Sequence, residues 1–246
     1  MATIWMPLPD EDFDVTEVAV PWRLLTRAGH RVVFSTENGK APAADPLLLR
    51  DGWFYGPLGA AEEPRAFYRE MLASPELAAP TPWRDIDPTR FEGLLLSGGH
   101  APKMKQYLES ELLHDKVAAF WKLDRPVGAI CHGVIVLARA KDESGASVLA
   151  TAKTTCLPKY MERSVYFLTA WRLGKHYRTY PAYVEDEVRA QLKDPATQFV
   201  RGPKVMTKRG SDSDDTHALV VEDGRYVSAR WPGDAYLYAK KFMERL

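Results

Sequence analysis

Cys131 and His132 stand side by side in a chain of 246 residues, with Gly128 and Ala129 just before them and Gly133 just after. A thiol beside an imidazole is a pairing suited to nucleophilic catalysis, and the imidazole can change charge near neutral pH. Residues 127–130 form a short apolar run behind Pro126, which reads as a buried parallel strand, and the apolar run 134–138 starts a helix directly after Gly133. Strand, cysteine and helix in that order predict a nucleophile elbow, a tight turn that lifts one side chain above the sheet. The small neighbours let the turn form without side-chain clash, and the helix N-terminus favours a thiolate over a thiol. The plainer alternative is a small buried Cys131 beside a helix-terminal His132. It is disfavoured by the joint presence of cysteine and histidine at a strand end.

The elements that must carry this pair follow an α/β rhythm. Residues 3–6 read as a strand, 10–14 as an acidic loop, and a helix with Pro21 inside it runs on to a stop at Ala28 and Gly29. Residues 31–35 are the next strand, and strand, helix and strand in sequence predict a parallel sheet with right-handed crossovers. A further strand at 93–97 ends in Gly98 and Gly99. Parallel strands place that turn on the same edge as Cys131, where ligands bind in open α/β sheets. The backbone N–H of Gly99, with that of His132, is therefore placed to stabilise a developing oxyanion, and His100 reads either as a polar pocket wall or as a solvated turn residue. Helices are expected at 104–109, 111–122, 158–171 and 183–192. Met161, Val165, Leu168 and Trp171 are spaced for one buried face of the third. Short strands are expected at 148–150, 153–156, 199–200, 218–221 and 226–229, the last two joined by a turn at 222–225. A helix from near Gly233 closes the chain.

Between 41 and 90 the composition changes: eight of the chain's 18 prolines fall there, with Trp53, Phe54, Tyr55 and Trp83 among them. This predicts an insertion packed over the strand ends, helical only at 64–72, whose aromatics either line a cleft or pin irregular chain to the domain. Positive and negative side chains number 33 each, so the net charge is zero and the chain lacks the electrostatic footprint of a nucleic-acid or anionic-membrane binder. No apolar run approaches the ~20 residues of a membrane span, and the N-terminus lacks a basic region followed by a long apolar segment, so a cytoplasmic location is expected. Cys131 and Cys156, the two cysteines, are too few for a disulfide framework and predict reduced thiols. The six histidines are scattered without metal-ligand spacing, and no glycine-rich nucleotide motif occurs, so neither a metal nor a cofactor is expected.

The run Ala129, Ile130, Cys131, His132, Gly133, together with the upstream Leu94, Leu95, Leu96, Ser97, Gly98, Gly99, His100, Ala101, resembles the ThiJ/PfpI superfamily of class I glutamine amidotransferase-like proteins. Within it the chain is most similar to the branch of heat-inducible chaperones with glyoxalase III and protein deglycase activity. The likeness runs from Glu17 to the end of the chain. It implies a single flavodoxin-like α/β sandwich over residues 1–246, with a central, mostly parallel sheet and the 41–90 segment as a small cap. It also implies roles for two carboxylates. Glu17 stands at the position of the family's glutamate that hydrogen-bonds the nucleophilic sulfur, and Glu162, seven residues after Thr155, stands where the branch places the acidic partner of its histidine. Read alone, Glu17 is an acid in a helix's first turn and Glu162 a surface helix residue. Val134 departs from a proline common at that point of the family, and residues 229–233 depart from the asparagine-containing end of the characterised glyoxalases.

The resemblance implies a cofactor-independent cysteine enzyme acting on small reactive aldehydes, with Cys131 as nucleophile, His132 and Glu17 moving protons, Glu162 orienting His132, and Gly98, Gly99 and His100 shaping the pocket. A cysteine peptidase, amidase or hydratase, and a non-enzymatic chaperone or redox sensor, are the alternatives. A homodimer is expected from the same resemblance.

Overall fold

The computed structural model of the protein describes residues 1–51 and 59–246. Nine strands occur in chain order: β1 (Thr3–Pro7), β2 (Glu11–Phe13), β3 (Arg31–Thr36), β4 (Ala43–Ala44), β5 (Thr81–Pro82), β6 (Gly93–Leu96), β7 (Val127–Ile130), β8 (Val220–Asp223) and β9 (Tyr226–Ala229), all among the described residues. Seven of them form one sheet in the order β5-β3-β1-β6-β7-β9-β8. Every neighbouring pair is parallel except β8 with β9, a hairpin at one edge. The central strands β1, β6 and β7 are almost wholly buried apolar runs, as a parallel sheet covered on both faces requires. Helices Val15–Arg27 and Ala235–Met243 pack together on one side of the sheet, and Glu111–Trp121 packs on the elbow helix Gly133–Arg139. The chain is thus an α/β protein with a mostly parallel central sheet, and β6 and β7, adjacent in its middle, bring Gly98 and Cys131 to one edge.

Several expectations are corrected. The acidic segment 10–14 contains β2, which pairs in parallel with β4 and ties the start of the proline-rich segment to the main body. The end of that segment extends the sheet: β5 pairs with Ser35 and Thr36 of β3. Trp83 is fully buried and packs near Tyr107 with ring centroids 6.4 Å apart, so it pins chain to the domain. Trp53, Phe54 and Tyr55 lie outside the described residues. The strands expected at 148–150, 153–156 and 199–200 reduce to a single parallel bridge between Thr154 and Phe199, because runs this short close only one ladder rung. Cys156 accordingly lies in irregular, fully buried chain rather than in a strand.

The helix Lys159–Leu173 forms where the spacing predicts it, but it buries Met161, Glu162 and Thr169 instead of one apolar stripe. Leu168 is 61% and Trp171 68% exposed, as is the neighbouring Phe167 at 62%. The 3.6-residue period gives the direction of a stripe, not what lies opposite it, and here the outer turns of the helix extend past the core.

Candidate active site

The elbow forms at the end of β7. Cys131 adopts φ 57°, a left-handed conformation that costs a non-glycine residue roughly 1–2 kcal/mol and that the surrounding hydrogen bonds impose. Its N–H donates to the carbonyl of Ala229 on β9 at 3.1 Å, which extends the ladder one residue beyond the strand and then turns the chain sharply. Gly133 begins the following helix against the carbonyls of Leu96 and Ser97, so close that a Cβ there would overlap the Leu96 carbonyl oxygen. Gly98 meets the same constraint from the other strand, since a Cβ would lie 2.8 Å from both Glu17 Oε2 and the His132 nitrogen. The two glycine turns therefore interlock, which explains their joint presence in the sequence.

Glu17 is fully buried in the first turn of the helix Val15–Arg27, capped by Asp14, whose Oδ1 accepts from the N–H groups of Thr16 and Glu17 at 2.8 and 3.1 Å. The Gly98 N–H donates to Glu17 Oε2 at 2.8 Å. Glu17 Oε1 is buried without a conventional hydrogen-bond partner among the described residues, on a carboxyl that interacts with the Cys131 thiol. Burial, reinforced by the charge of Asp14, raises the Glu17 carboxyl well above the usual range. Burial likewise raises the Cys131 thiol, and an ionised Glu17 would raise it further. This corrects the expectation of a resting thiolate: for a side chain only 5% exposed, desolvation outweighs the elbow helix's N-terminus. The two protons are linked, because a neutral Glu17 removes the opposing charge and supplies a donor to the sulfur once the thiol ionises.

His132 is fully buried, with Nδ1 3.5 Å from Cys131 Sγ and Nε2 buried without a hydrogen-bond partner among the described residues. Burial lowers its pKa well below the ordinary value and holds the ring neutral, contrary to a charge change near neutral pH. His100 lies beside it, ring centroids 4.8 Å apart, and burial with nearby His176 and Arg178 lowers it to about 3. Glu162, expected either as an orienter or on the surface, is buried. Its Oε1 accepts from Arg178 at 3.2 Å and its Oε2 from the Val184 N–H at 2.9 Å, and desolvation raises its pKa to about 7 despite both donors. His100, His132 and Glu162 each offer one nitrogen or oxygen within 4.8 Å of the others, while the direct hydrogen bonds of Glu162 go to Arg178 and Val184. No sequence motif marks this trio, since its members come from three separate segments.

Above the thiol is a pocket of about 120 Å³, lined by Cys131, Glu17, Gly99 and His100 from the sequence-derived set. His132 and Glu162 lie behind its wall, and Gly98 serves by holding Glu17. Asp14, Asp45, Tyr177, Arg209 and Trp231 also line it. Asp14 is half-buried by its surface yet wholly enclosed at its carboxyl, which desolvation raises to about 6. Its place as helix cap ahead of Glu17 was the available signal. Arg209 attracts Asp14 and Glu17 electrostatically and lies 5.5 Å from the Trp231 ring centroid, on an irregular segment with no readable pattern. Asp45 accepts from Tyr177 Oη at 3.1 Å, so the start of the proline-rich segment does reach the pocket.

Comparison with known proteins agrees with this architecture. The chain is 28% identical over 243 residues to the uncharacterized protein C14C4.04 of Schizosaccharomyces pombe, covering 95% of this chain and 79% of that one. It is 24% identical over 166 residues to the deglycase TK1284 of Thermococcus kodakarensis, covering 66% of each. The crystal structure of glyoxalase III (Orf 19.251) from Candida albicans superposes with a TM-score of 0.70 at 17% identity, over 100% of this chain and 97% of that one. The family model described as ThiJ/PfpI family-like matches residues 8–203, a span that carries both glycine turns, Cys131, Glu17 and Glu162, and the chain therefore belongs to the ThiJ/PfpI-like family.

Proposed function

We propose that the protein is a cofactor-independent cysteine enzyme that converts small 2-oxoaldehydes such as methylglyoxal to 2-hydroxy acids. The observation that supports this reading is the buried Glu17 carboxyl, held at Oε2 by the Gly98 N–H and interacting with the Cys131 thiol. Addition of Sγ to the aldehyde carbon forms a hemithioacetal, with the thiol proton ending on the former carbonyl oxygen. The Glu17 carboxylate then takes the C1 proton and delivers it to C2 while the C1 hydroxyl proton passes to the C2 oxygen, which yields a 2-hydroxy thioester, and one water hydrolyses this to the 2-hydroxy acid and the free thiol. Neutral His132 beside the sulfur relays the thiol proton to the carbonyl oxygen during addition and, on hydrolysis, passes a proton from the attacking water to the departing sulfur.

The small size of the pocket supports an aldehyde over a polypeptide, which needs an extended groove. The distant likeness to a deglycase and a glyoxalase III is consistent with the same chemistry. Lactate formation from methylglyoxal by the purified chain, absent in Cys131→Ala, tests the proposal. Cleavage of amide substrates in place of aldehyde conversion would sink it.

A further inference from the structure

The cluster of His100 on the pocket lining with His132 and Glu162 behind it has a property that aldehyde chemistry does not use. Nε2 of His100 and Nε2 of His132 are both buried and lack hydrogen-bond partners among the described residues. Two orphaned imidazole nitrogens in one small volume are costly unless something binds them. Because His132 Nδ1 faces Cys131 Sγ, Nε2 is the nitrogen turned away from the thiol. Glu162 provides an oxygen at the third corner, and one ring nitrogen of each histidine lies with that oxygen within 4.8 Å of the others. Its two oxygens accept one hydrogen bond each, from Arg178 and Val184, so each keeps a lone pair.

We infer that His100, His132 and Glu162 form a binding site for a divalent cation of the zinc type. Two imidazole nitrogens and one carboxylate oxygen suit Zn²⁺, whereas Mg²⁺ and Ca²⁺ prefer oxygen ligands. A tetrahedral cation at ~2.0–2.1 Å from its ligands separates them by about 3.4 Å, so the cluster contracts on binding. His100, partly buried and lining the pocket, is the one of the three that borders open space. The nearby Arg178 guanidinium opposes a second positive charge and keeps the site moderate in affinity.

Occupancy has a chemical consequence at the thiol. A neutral imidazole bound to a cation through Nε2 must carry its proton on Nδ1, the nitrogen that faces Cys131. It then donates toward the sulfur and can no longer accept the thiol proton. The cation therefore removes His132 as a base, which makes the site inhibitory for any reaction that needs that base. This consequence rests on the role given to His132 above, whereas the binding itself does not.

Titration calorimetry of the full chain with Zn²⁺ separates the two. The expected result is one cation per chain, affinity weakened by at least about tenfold in His100→Ala and in Glu162→Gln, and affinity retained in Cys131→Ser. Circular dichroism identifies any variant that fails to fold, and Co²⁺ binding to the parent chain gives a measurement free of substitutions. Its visible spectrum should show a tetrahedral ion without a sulfur-to-metal charge-transfer band. Absence of stoichiometric binding, a charge-transfer band, or binding lost in Cys131→Ser but kept in His100→Ala would each overturn the assignment. Binding that meets these criteria while lactate formation is absent would leave the site standing and overturn the proposed reaction instead.

Discussion

The hydroxyl of Ser97 donates to the backbone carbonyl of Glu17 at 3.0 Å. That carbonyl would ordinarily accept from the N–H four residues on, but this residue is Pro21, which has none. A proline inside the helix thus leaves one buried acceptor open, and the last residue before the Gly98 turn occupies it. Ser97 binds the backbone of Glu17 and Gly98 binds its side chain, so the end of β6 positions the carboxyl twice.

Ser97→Ala should therefore lower stability by about 1–3 kcal/mol, the cost of a buried acceptor left unpaired. Pro21→Ala restores the helical N–H and should make the Ser97→Ala change much less costly in the double variant. Urea unfolding of the four chains of this cycle measures the coupling. Strict additivity would show that Ser97 does not act through that carbonyl.

Reactivity of the two thiols should differ in the folded chain. Cys131 opens to the pocket and Cys156 is fully buried with burial raising its pKa, so limited alkylation and peptide mapping should label Cys131 first. Alkylation of Cys131 should be slow at neutral pH and rise about tenfold per unit toward a raised midpoint. Glu17→Gln, which removes the opposing charge, should move that midpoint down. Preferential labelling of Cys156, or a midpoint that moves up, would contradict this electrostatic account.

Glu162 should impose a pH dependence on stability. Its folded pKa of about 7 lies above the ordinary 4.5, so the folded chain holds more protons than the unfolded chain between these values. Its contribution is complete below the unfolded value and is lost as pH rises through about 7. The slope is at most about 1.4 kcal/mol per pH unit, reduced by the response of neighbouring groups. Glu162→Gln should flatten the stability curve across this window relative to the parent chain. Parallel curves from denaturant unfolding at pH 5 to 8, roughly the window concerned, would show that Glu162 is ordinary.

Gly133→Ala should be among the most disruptive single substitutions, because the added carbon meets the Leu96 backbone rather than a movable side chain. A loss above about 3 kcal/mol or a failure to fold is expected. A soluble variant of parental stability would mean that the elbow and β6 are less tightly interlocked.

The central strands and the elbow were legible because each rests on a local signal. Residues 127–130 form a bounded apolar run, and Cys131 lies between it and an uninterrupted helical pattern. Residues 226–229 are likewise read without error. What was not legible depends on partners far away in sequence. Strand β2 lies within acidic residues and exists because β4 pairs with it. The exposure of Leu168 and Trp171 depends on where the core ends, and the depressed pKa of His132 on how completely the fold encloses it. Arg209 reaches the pocket from a segment with no period at all.

The most direct test of the central claim is intact-mass and peptide analysis of the Glu17→Gln chain after exposure to methylglyoxal, with lactate assayed in parallel. If Cys131 adds to the aldehyde and Glu17 carries the proton from C1 to C2, this variant accumulates a reversible hemithioacetal adduct on Cys131 and forms no lactate. An unmodified Cys131, or lactate formed at the parental rate, would contradict it.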